Sequence, residues 1–343
     1  MQHNKIFASC FLFLFLATGC AKKIPCYPPE HYAPEPGAPY TAEDVRIPTS
    51  AGHTLAGTLT LPPMVKAPYP AVLLITGSSP QERDHMQNSR GPASLYKPFR
   101  QIADAISRKG IAVLRMDDQG TGCSEGDELE NVTIQERADD SRAGIQYLRN
   151  RSGIDSSRIG LLGLSEGANI GPMIAASDPT IRAIVMMAPT ATNGYRIIEY
   201  QTRLKIDERP DLSASEKDRE LKKSMRGLDH ALARGEGSPW FRSFLAYMPL
   251  PAARKVSCPA LILHGDRDAH IPVDHSELLA NVMRAGGNEN ITLIIFNNHN
   301  HLFLEDPNGN ISGYANLLKH TNKLSKNVLT TITDWLGDRL LAE

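Results

Sequence analysis

The sequence predicts an α/β fold with a mostly parallel central sheet and helices on both faces. Two observations lead to this class. From residue 43 onward, short β-branched runs of strand length alternate with longer amphipathic stretches. The chain has 343 residues, 41% of them hydrophobic, which is enough to bury a large core. We therefore expect one large domain over residues 43–343.

The individual elements follow in order along this domain. Residues 45–63 predict a β-hairpin. Later apolar runs predict strands at residues 70–77, 111–118, 158–164, 181–189, 259–266 and 291–298. Stretches with helical spacing predict helices at 95–110 and 133–151, from 166 onward, and at about 274–286 and 321–341. Gly110 suits the C-cap of the first helix, and Thr133 with Glu136 can form a capping box at the start of the second.

One segment interrupts this alternation. Residues 190–256 separate two predicted strands that a short crossover would normally connect, so we expect them to form an inserted helical lid. The charged part at 214–235 has the pattern of a solvated helix. The part after it is aromatic, and Trp240, Phe241 and Phe244 are candidates for the wall of a substrate pocket. Packing against the main domain would also account for this aromatic stripe.

The N-terminal residues differ from the rest of the chain. Lys5 precedes a short apolar stretch, and small residues lead up to Cys20, which together predict a secretory signal over residues 1–19. The apolar stretch is shorter than the ~20 residues that a membrane-spanning helix needs. Residues 16–20 resemble a bacterial lipobox, in which Cys20 would be lipidated, and an ordinary cleaved signal is the alternative. We expect an exported protein of the bacterial cell envelope, facing the periplasm or the outside.

A proline-rich spacer follows at residues 20–42. It lacks hydrophobic periodicity, so we expect an extended tether between the membrane and the domain. Cys26 lies in this tether, whereas Cys123 and Cys258 lie at opposite ends of predicted strands. The sequence therefore predicts no disulfide within the domain.

The charge balance excludes one class of partner. The formal net charge at pH 7 is −1, and the sequence has no run rich in lysine and arginine. We therefore expect no binding to nucleic acid.

A serine between glycines follows the predicted strand at 158–164. Gly163, Ser165 and Gly167 match the pattern GxSxG, with a strand before it and a helix after it, which is the context of a nucleophile elbow. The sharp turn strains the backbone and brings the flanking residues close to neighbouring elements, so these positions need glycine. Ser165 is therefore the candidate nucleophile.

Acids and histidines at the ends of later strands could activate this serine. A serine hydroxyl is a weak nucleophile unless a base takes its proton, and an acid must orient that base. Asp266 and Asp268 follow one predicted strand. His299 and His301 follow the next strand along the chain. Because the carboxyl ends of parallel strands meet at one sheet edge, we expect these side chains to converge on Ser165.

Four motifs in order give the chain a resemblance to the α/β-hydrolase superfamily, to its serine esterase branch with a helical lid. Besides the GxSxG elbow, residues 77–84 (GSSPQERD) resemble the family's oxyanion loop GSGPQDRD. Residues 115–124 resemble its RxDxRGxGxS motif, and residues 239–249 resemble its PWFRxFLxYxP segment. Gln119 stands where the family has arginine, and Ser79 replaces the second glycine of the oxyanion loop.

The resemblance implies a Ser-His-Asp triad. The family pattern GxxD, counted from Gly265, selects Asp268 as the acid, and the family's NHLF sequence selects His301 as the base. The other aspartate would then be a turn residue. The oxyanion hole would use the main-chain N–H groups of Glu166 and Ser78.

The resemblance also implies the reaction. It points to a serine carboxylic-ester hydrolase that forms an acyl-enzyme intermediate without a metal or organic cofactor. The lid composition suggests an apolar pocket of modest size, hence short or medium acyl chains. A peptidase, a thioesterase or an acyltransferase could use the same triad, and a non-catalytic lipoprotein could use the same scaffold for binding. The clustered acids and histidines, with His264 and His270, leave a metal site as a further alternative.

Overall fold

A computed structural model describes residues 24–63, 67–85, 96–310 and 313–342 of the chain. The strands in this part are β1 (Thr41–Pro48), β2 (Thr54–Leu61), β3 (Tyr69–Ile75), β4 (Ala112–Met116), β5 (Ile154–Leu164), β6 (Ile181–Met187), β7 (Ala260–Gly265) and β8 (Ile291–Phe296). They form one eight-stranded sheet in the order β1-β2-β4-β3-β5-β6-β7-β8. β2 runs antiparallel to β1 and β4, and the other neighbouring strands are parallel. The predicted class and the N-terminal hairpin are confirmed.

The helices connect these strands and cover the sheet. They are α1 (Pro98–Arg108), α2 (Ile134–Asn150), α3 (Glu166–Ala175), α4 (Gly194–Asp207), α5 (Ala214–Ala233), α6 (Pro239–Ala246), α7 (Leu250–Ala253), α8 (Asp274–Ala285), α9 (Tyr314–Leu317) and α10 (Lys326–Leu340). The predicted capping box of Thr133 and Glu136 begins α2. Gly110 follows α1 with a φ of 96°, in the left-handed region that suits glycine. Across the described residues, no helix combines the length and apolar character that crossing a membrane requires.

The sheet separates two apolar cores. Side chains of consecutive strand residues point to opposite faces. Leu73 therefore packs into one core with α2 and α3, whereas Val72 packs into the other with α1 and α10. Leu161 and Leu162 of β5 divide in the same way. Burial on both faces explains why these strands are continuous apolar runs in the sequence.

Helices α4 to α7 occupy the predicted insertion at 190–256, between β6 and β7. α5 matches the charged stretch, and α6 contains the aromatic segment. The sequence did not indicate α4 as a separate helix. It begins where the Asn193 side chain accepts a hydrogen bond from the main-chain N–H of Arg196, and it buries Ile197 in a core.

Residues 24–40 lie against the domain, so this part of the predicted spacer is not an extended tether. Cys26 and Cys123 form a disulfide. Tyr32 is buried, and the centre of its ring lies 4.1 Å from the guanidinium carbon of Arg83. The prediction of no disulfide is therefore wrong, because it placed Cys26 in a free tether and compared only the two strand-end cysteines.

The predicted secretory signal at 1–19 and the predicted lipidation site Cys20 lie outside the described residues. β1 begins at Thr41, within the predicted spacer at 20–42. β1 therefore includes the last two residues of the predicted spacer.

The turn between β5 and α3 packs tightly against its neighbours. A Cβ atom on Gly163 would lie 2.1 Å from the carbonyl oxygen of Gly167. A Cβ atom on Gly167 would lie 2.1 Å from the carbonyl oxygen of Ile75 in β3. Both neighbours are backbone atoms of regular elements and cannot move aside cheaply. The two glycines therefore allow the strands and the helix to meet, as the GxSxG pattern predicts.

Removing the disulfide should destabilise the domain. The bond joins residues 97 positions apart, and removing a native disulfide typically costs about 2–5 kcal/mol. Cys123→Ser should lower the free energy of unfolding by that amount in urea denaturation. Cys258→Ala is the control, because the Cys258 thiol is free, and it should have a smaller effect. Equal stability of C123S and the unsubstituted protein would contradict the disulfide.

Gly167→Ala should disrupt the turn. The added Cβ would overlap the β3 backbone, so we expect a loss of about 3 kcal/mol or more in the free energy of unfolding. Gly171→Ala in the same helix is the matched control, since a Cβ there meets no described atom within 4 Å. It should stabilise the protein by up to about 1 kcal/mol through helix propensity. Similar effects of both substitutions, measured by thermal unfolding, would refute the packing argument.

Candidate active site

Ser165 lies at the turn between β5 and α3, at the carboxyl edge of the sheet. Its φ is 58° and its ψ is −117°, a conformation that residues other than glycine avoid. Its main-chain N–H donates a 2.8 Å hydrogen bond to the carbonyl oxygen of Met187, at the end of β6. The neighbouring strand β6 therefore helps to hold the strained turn. Ser165 also lines a cavity.

Asp268 and His301 form a hydrogen-bonded pair beside this cavity. Asp268 follows β7, His301 follows β8, and Asp268 Oδ2 lies 2.7 Å from His301 Nδ1. Asp268 Oδ1 accepts hydrogen bonds from the main-chain N–H groups of His270 and Ile271, at 2.7 and 2.9 Å. Nδ1 of His301 is hydrogen-bonded to Asp268. The other ring nitrogen, Nε2, is therefore available to take part in a reaction in the cavity that His301 and Ser165 both line.

The surroundings keep Asp268 ionised. Burial alone would raise its pKa, but the charge of His301 and hydrogen bonds from His264 and His301 hold the pKa of Asp268 far below its usual range. His264 Nε2 lies 3.1 Å from Asp268 Oδ2, and His264 Nδ1 lies 2.6 Å from Ser276 Oγ. An ionised Asp268 can orient the imidazole of His301 and stabilise its protonated form.

Tyr314 joins the two loops that carry this pair. Its hydroxyl oxygen accepts hydrogen bonds from the main-chain N–H groups of His301 at 3.1 Å and Ala269 at 3.3 Å. The sequence analysis missed Tyr314, because a single tyrosine in a short helix carries no motif. Its position fixes the distance between the acid loop and the histidine loop.

The alternative acid and base have other partners. Asp266 Oδ1 accepts a 2.6 Å hydrogen bond from the main-chain N–H of Asn298. His299 Nδ1 lies 2.7 Å from the carbonyl oxygen of Asn297. The geometry therefore pairs Asp268 with His301, the combination that the sequence resemblance implies.

The cavity at Ser165 is small. Its volume is about 30 Å³, close to the space that one or two water molecules need. Its walls come from the loop after β3, the turn at Ser165, the acid and histidine loops, and the insertion. The lining residues are Ser78, Ile134, Ser165, Glu166, Asn169, Thr190, Thr192, Gly194, Ile197, Gln201, Phe244, Tyr247, His270, Ile271 and His301.

Of the three aromatic candidates, Phe244 lines the cavity, whereas Trp240 and Phe241 are not among its lining residues. Trp240 stacks on Phe244 with ring centres 5.2 Å apart, and Phe241 lies beside Trp240 at 6.2 Å. Trp240 and Phe241 therefore support the wall from behind. The sequence pattern indicates the aromatic segment, but the face of α6 that meets the cavity depends on how the insertion packs.

The Glu166 side chain connects the insertion to the loop after β3. Its carboxylate is buried and accepts hydrogen bonds from Trp240 Nε1 at 3.1 Å and from Ser78 Oγ at 3.2 Å. Arg137 of α2 forms an ion pair with the same carboxylate. The residue after the candidate nucleophile thus binds three separate elements.

A second buried acid extends this network. Arg137 Nη2 lies 2.9 Å from Thr76 Oγ1 and 3.3 Å from Asp118 Oδ1. Asp118 Oδ2 accepts a 3.0 Å hydrogen bond from the main-chain N–H of Gln81. Burial raises the pKa of Asp118 to about 6, although Arg137 and Thr76 favour its ionised form. The loop after β3 is therefore fastened to α2 by polar groups that are shielded from water.

The sequence motifs after β3 and β4 bind each other directly. Arg83 Nε and Nη2 each lie 2.9 Å from a different carboxylate oxygen of Asp117, and both residues are buried. Arg115 forms a second buried ion pair, with Asp84. Charged residues of both motifs thus hold the loop that carries Ser78.

His270 is a cavity residue that no motif indicated as such. Its ring centre lies 4.8 Å from that of His301. Burial and the charge of His301 lower the pKa of His270 to about 3, so this imidazole is neutral at ordinary pH. The imidazoles of His270 and His301 therefore lie side by side in the lining of the cavity that contains Ser165.

Asp268, His270 and His301 also offer a set of potential metal ligands. Their ligand atoms lie within 4.8 Å of one another. Both oxygens of Asp268 already accept hydrogen bonds, and Nδ1 of His301 is bound to one of them. The arrangement therefore fits an oriented acid–imidazole pair better than a metal centre.

Comparisons with known proteins identify relatives of the chain. The family model described as "Serine aminopeptidase, S33" matches residues 89–308. The chain is 27% identical over 290 residues to the esterase EstD of Thermotoga maritima. The aligned region covers 82% of this chain and 65% of EstD. It is 28% identical over 152 residues to the esterase FrsA of Yersinia pestis. This aligned region covers 44% of this chain and 32% of FrsA. The chain thus spans less than two thirds of the length of both relatives.

A solved structure has the same fold. The esterase Pf2001 of Pyrococcus furiosus matches with a TM-score of 0.60 and 16% sequence identity, over 93% of this chain and 99% of that one. The shared architecture is the α/β-hydrolase fold, with the eight-stranded sheet described above. Since the family match covers more than half of the chain, the protein belongs to the serine aminopeptidase S33 family of α/β-hydrolases.

Proposed function

We propose that the protein is a serine hydrolase that cleaves carboxylic esters through an acyl-enzyme intermediate. The observation that carries this proposal is the hydrogen-bonded pair of Asp268 and His301 beside the cavity that Ser165 lines. The esterases among the relatives support the same class of reaction.

The proposed reaction has two symmetrical halves. Ser165 Oγ attacks the carbonyl carbon of the ester while His301 Nε2 takes the hydroxyl proton. His301 then gives this proton to the departing alcohol, and the acyl group stays on Ser165. A water molecule attacks the acyl-enzyme in the same way, which releases the acid and returns a proton to Ser165. Asp268 stays ionised and keeps Nδ1–H of His301 directed at its carboxylate.

The negative oxygen that forms in each half needs hydrogen-bond donors. We assign this role to the main-chain N–H groups of Ser78 and Glu166, because both residues line the cavity with Ser165. Glu166 is the first residue of α3, where the helix dipole adds partial positive charge.

The cavity lining favours ester cleavage over aminopeptidase activity. An aminopeptidase must bind the ammonium group of a peptide, for which a carboxylate is the suitable partner. Glu166 is the carboxylate among the described residues of the lining, and Arg137 already neutralises it. The small volume of the cavity, about 30 Å³, argues against long acyl chains.

We also propose that the protein is exported and anchored to the cell envelope through a lipid on Cys20. The predicted secretory signal supports export. The disulfide between Cys26 and Cys123 supports it independently, because disulfides persist in oxidising compartments outside the cytosol.

Substituting the triad should remove activity. Ser165→Ala deletes the nucleophile, so both the hydrolysis of p-nitrophenyl acetate and labelling by a fluorophosphonate should be lost. Asp268→Asn preserves shape but permits the wrong tautomer of His301, so kcat should fall by about 10⁴-fold. The measurement is steady-state hydrolysis of the ester.

The matched controls alter the other acid and imidazole of the same loops. Asp266→Asn and His299→Gln should retain most of the activity, since neither side chain is part of the pair. Labelling that persists in S165A, or a loss in D266N as large as in D268N, would contradict the assignment.

Weakening the Glu166 contacts should slow turnover while Ser165 remains reactive. Trp240→Phe keeps a ring to stack on Phe244 but removes the indole N–H bound to Glu166. Because the same carboxylate binds Ser78, we expect kcat to fall about 3- to 10-fold, the effect of one hydrogen bond of about 1 kcal/mol. Fluorophosphonate labelling should persist.

Trp335→Phe is the matched control for this substitution. Trp335 lies in α10 and is not a lining residue of the cavity. Its Nε1 donates a hydrogen bond to Thr292 Oγ1 at 3.2 Å. Its kcat should equal that of the unsubstituted protein. Unchanged kcat in W240F would show that the bond to Glu166 has no part in turnover.

A further inference from the structure

We propose that the cavity recognises a neutral hydrogen-bonding group of the substrate, so that the preferred esters carry a hydroxyl close to the bond that is cleaved. This inference rests on the ester hydrolysis proposed above. The polar atoms of three side chains that line the cavity carry it: Thr192 Oγ1, Tyr247 Oη and His270 Nδ1. Each is shielded from solvent, and none has a hydrogen-bond partner among the described residues.

These three side chains line one cavity but come from separate parts of the chain. Thr192 lies between β6 and α4, Tyr247 directly follows α6, and His270 lies in the acid loop after β7. Buried polar atoms in folded proteins are nearly always paired. Three unpaired atoms on side chains that line a cavity of about 30 Å³ therefore indicate partners from outside the described residues.

The chemistry of the three groups defines the class of ligand. The hydroxyls of Thr192 and Tyr247 can each donate and accept a hydrogen bond. The His270 imidazole is neutral, because burial and the charge of His301 lower its pKa, and it supplies one further donor or acceptor. An ionised substrate group would meet no opposite charge among these three side chains. A substrate hydroxyl, in contrast, could form hydrogen bonds with them.

The rest of the wall strengthens this selection. Ile134, Ile197, Phe244 and Ile271 line the same cavity and exclude water. In such surroundings a hydrogen bond is stronger, and an unpaired polar atom is more costly. A purely alkyl group in the cavity would leave the three atoms unpaired, so the site should discriminate against it. This differs from the apolar pocket that the lid composition suggests.

Matched pairs of esters test the proposal. Ethyl 3-hydroxypropanoate and ethyl butyrate differ by a hydroxyl in place of a methyl on the acyl side. The esters 2-hydroxyethyl acetate and propyl acetate differ in the same way on the alcohol side. After normalisation to the rates of alkaline hydrolysis, kcat/KM should favour the hydroxylated member of at least one pair by about 10-fold or more.

Two conservative variants locate the origin of the preference. Tyr247→Phe and Thr192→Val each remove a hydroxyl while preserving the shape of the side chain. Each should reduce the preference for the hydroxylated ester about 3- to 10-fold. Tyr195→Phe is the matched control, because the Tyr195 hydroxyl binds Asp229 at 2.9 Å on the exposed surface, and it should leave the preference unchanged. Thermal unfolding should show no loss of stability in Y247F, since the hydroxyl that it loses is unpaired.

The possible outcomes separate this inference from the proposed function. Equal or faster turnover of the alkyl ester in both pairs would overturn the inference, and so would a preference that Y247F and T192V leave intact. In both cases the esterase function stands. Failure to hydrolyse any of the four esters, together with no fluorophosphonate labelling, would overturn the function and this inference with it.

Discussion

The close approach of β5, α3 and β3 is the constraint on which the rest of the site depends. Gly163 and Gly167 let these backbones meet at distances that no side chain could occupy. The turn between them forces Ser165 into a strained conformation that costs on the order of 1–3 kcal/mol. It persists because the sheet is buried between two apolar cores. The candidate nucleophile is therefore positioned by closely packed, buried backbone at the centre of the sheet.

Buried charges then hold the loops around this fixed point. Arg83 with Asp117 braces the loop after β3, and Arg137 with Glu166 ties that loop to α2 and to the insertion. His264 of β7 holds Asp268, which lies in the acid loop. Burying such charges costs desolvation energy that their attraction repays only in good geometry. We interpret these pairs as fixing the arrangement of the site more than the stability of the domain.

The sequence could predict the features that rest on local signals or on strand ends. The GxSxG turn follows from glycine spacing. The strand ends indicate two acids and two histidines as candidates, and the family resemblance selects Asp268 and His301 among them. Features that need distant segments to meet were missed. The disulfide of Cys26 depends on a segment without periodicity folding back onto the domain. Tyr314 and the unpaired hydroxyl of Tyr247 acquire their roles only when short helices pack against the sheet edge.

The central claim is that Ser165, His301 and two main-chain N–H groups converge on the carbon and the oxygen of one reacting carbonyl group. A crystal structure of the protein after reaction with a fluorophosphonate tests it most directly, because the tetrahedral phosphorus mimics that carbon. The account predicts phosphorus bound to Ser165 Oγ, His301 Nε2 within hydrogen-bond distance of an adduct oxygen, and the phosphoryl oxygen about 2.7–3.1 Å from the nitrogens of Ser78 and Glu166. An adduct on another residue, or a phosphoryl oxygen directed away from both nitrogens, would contradict it.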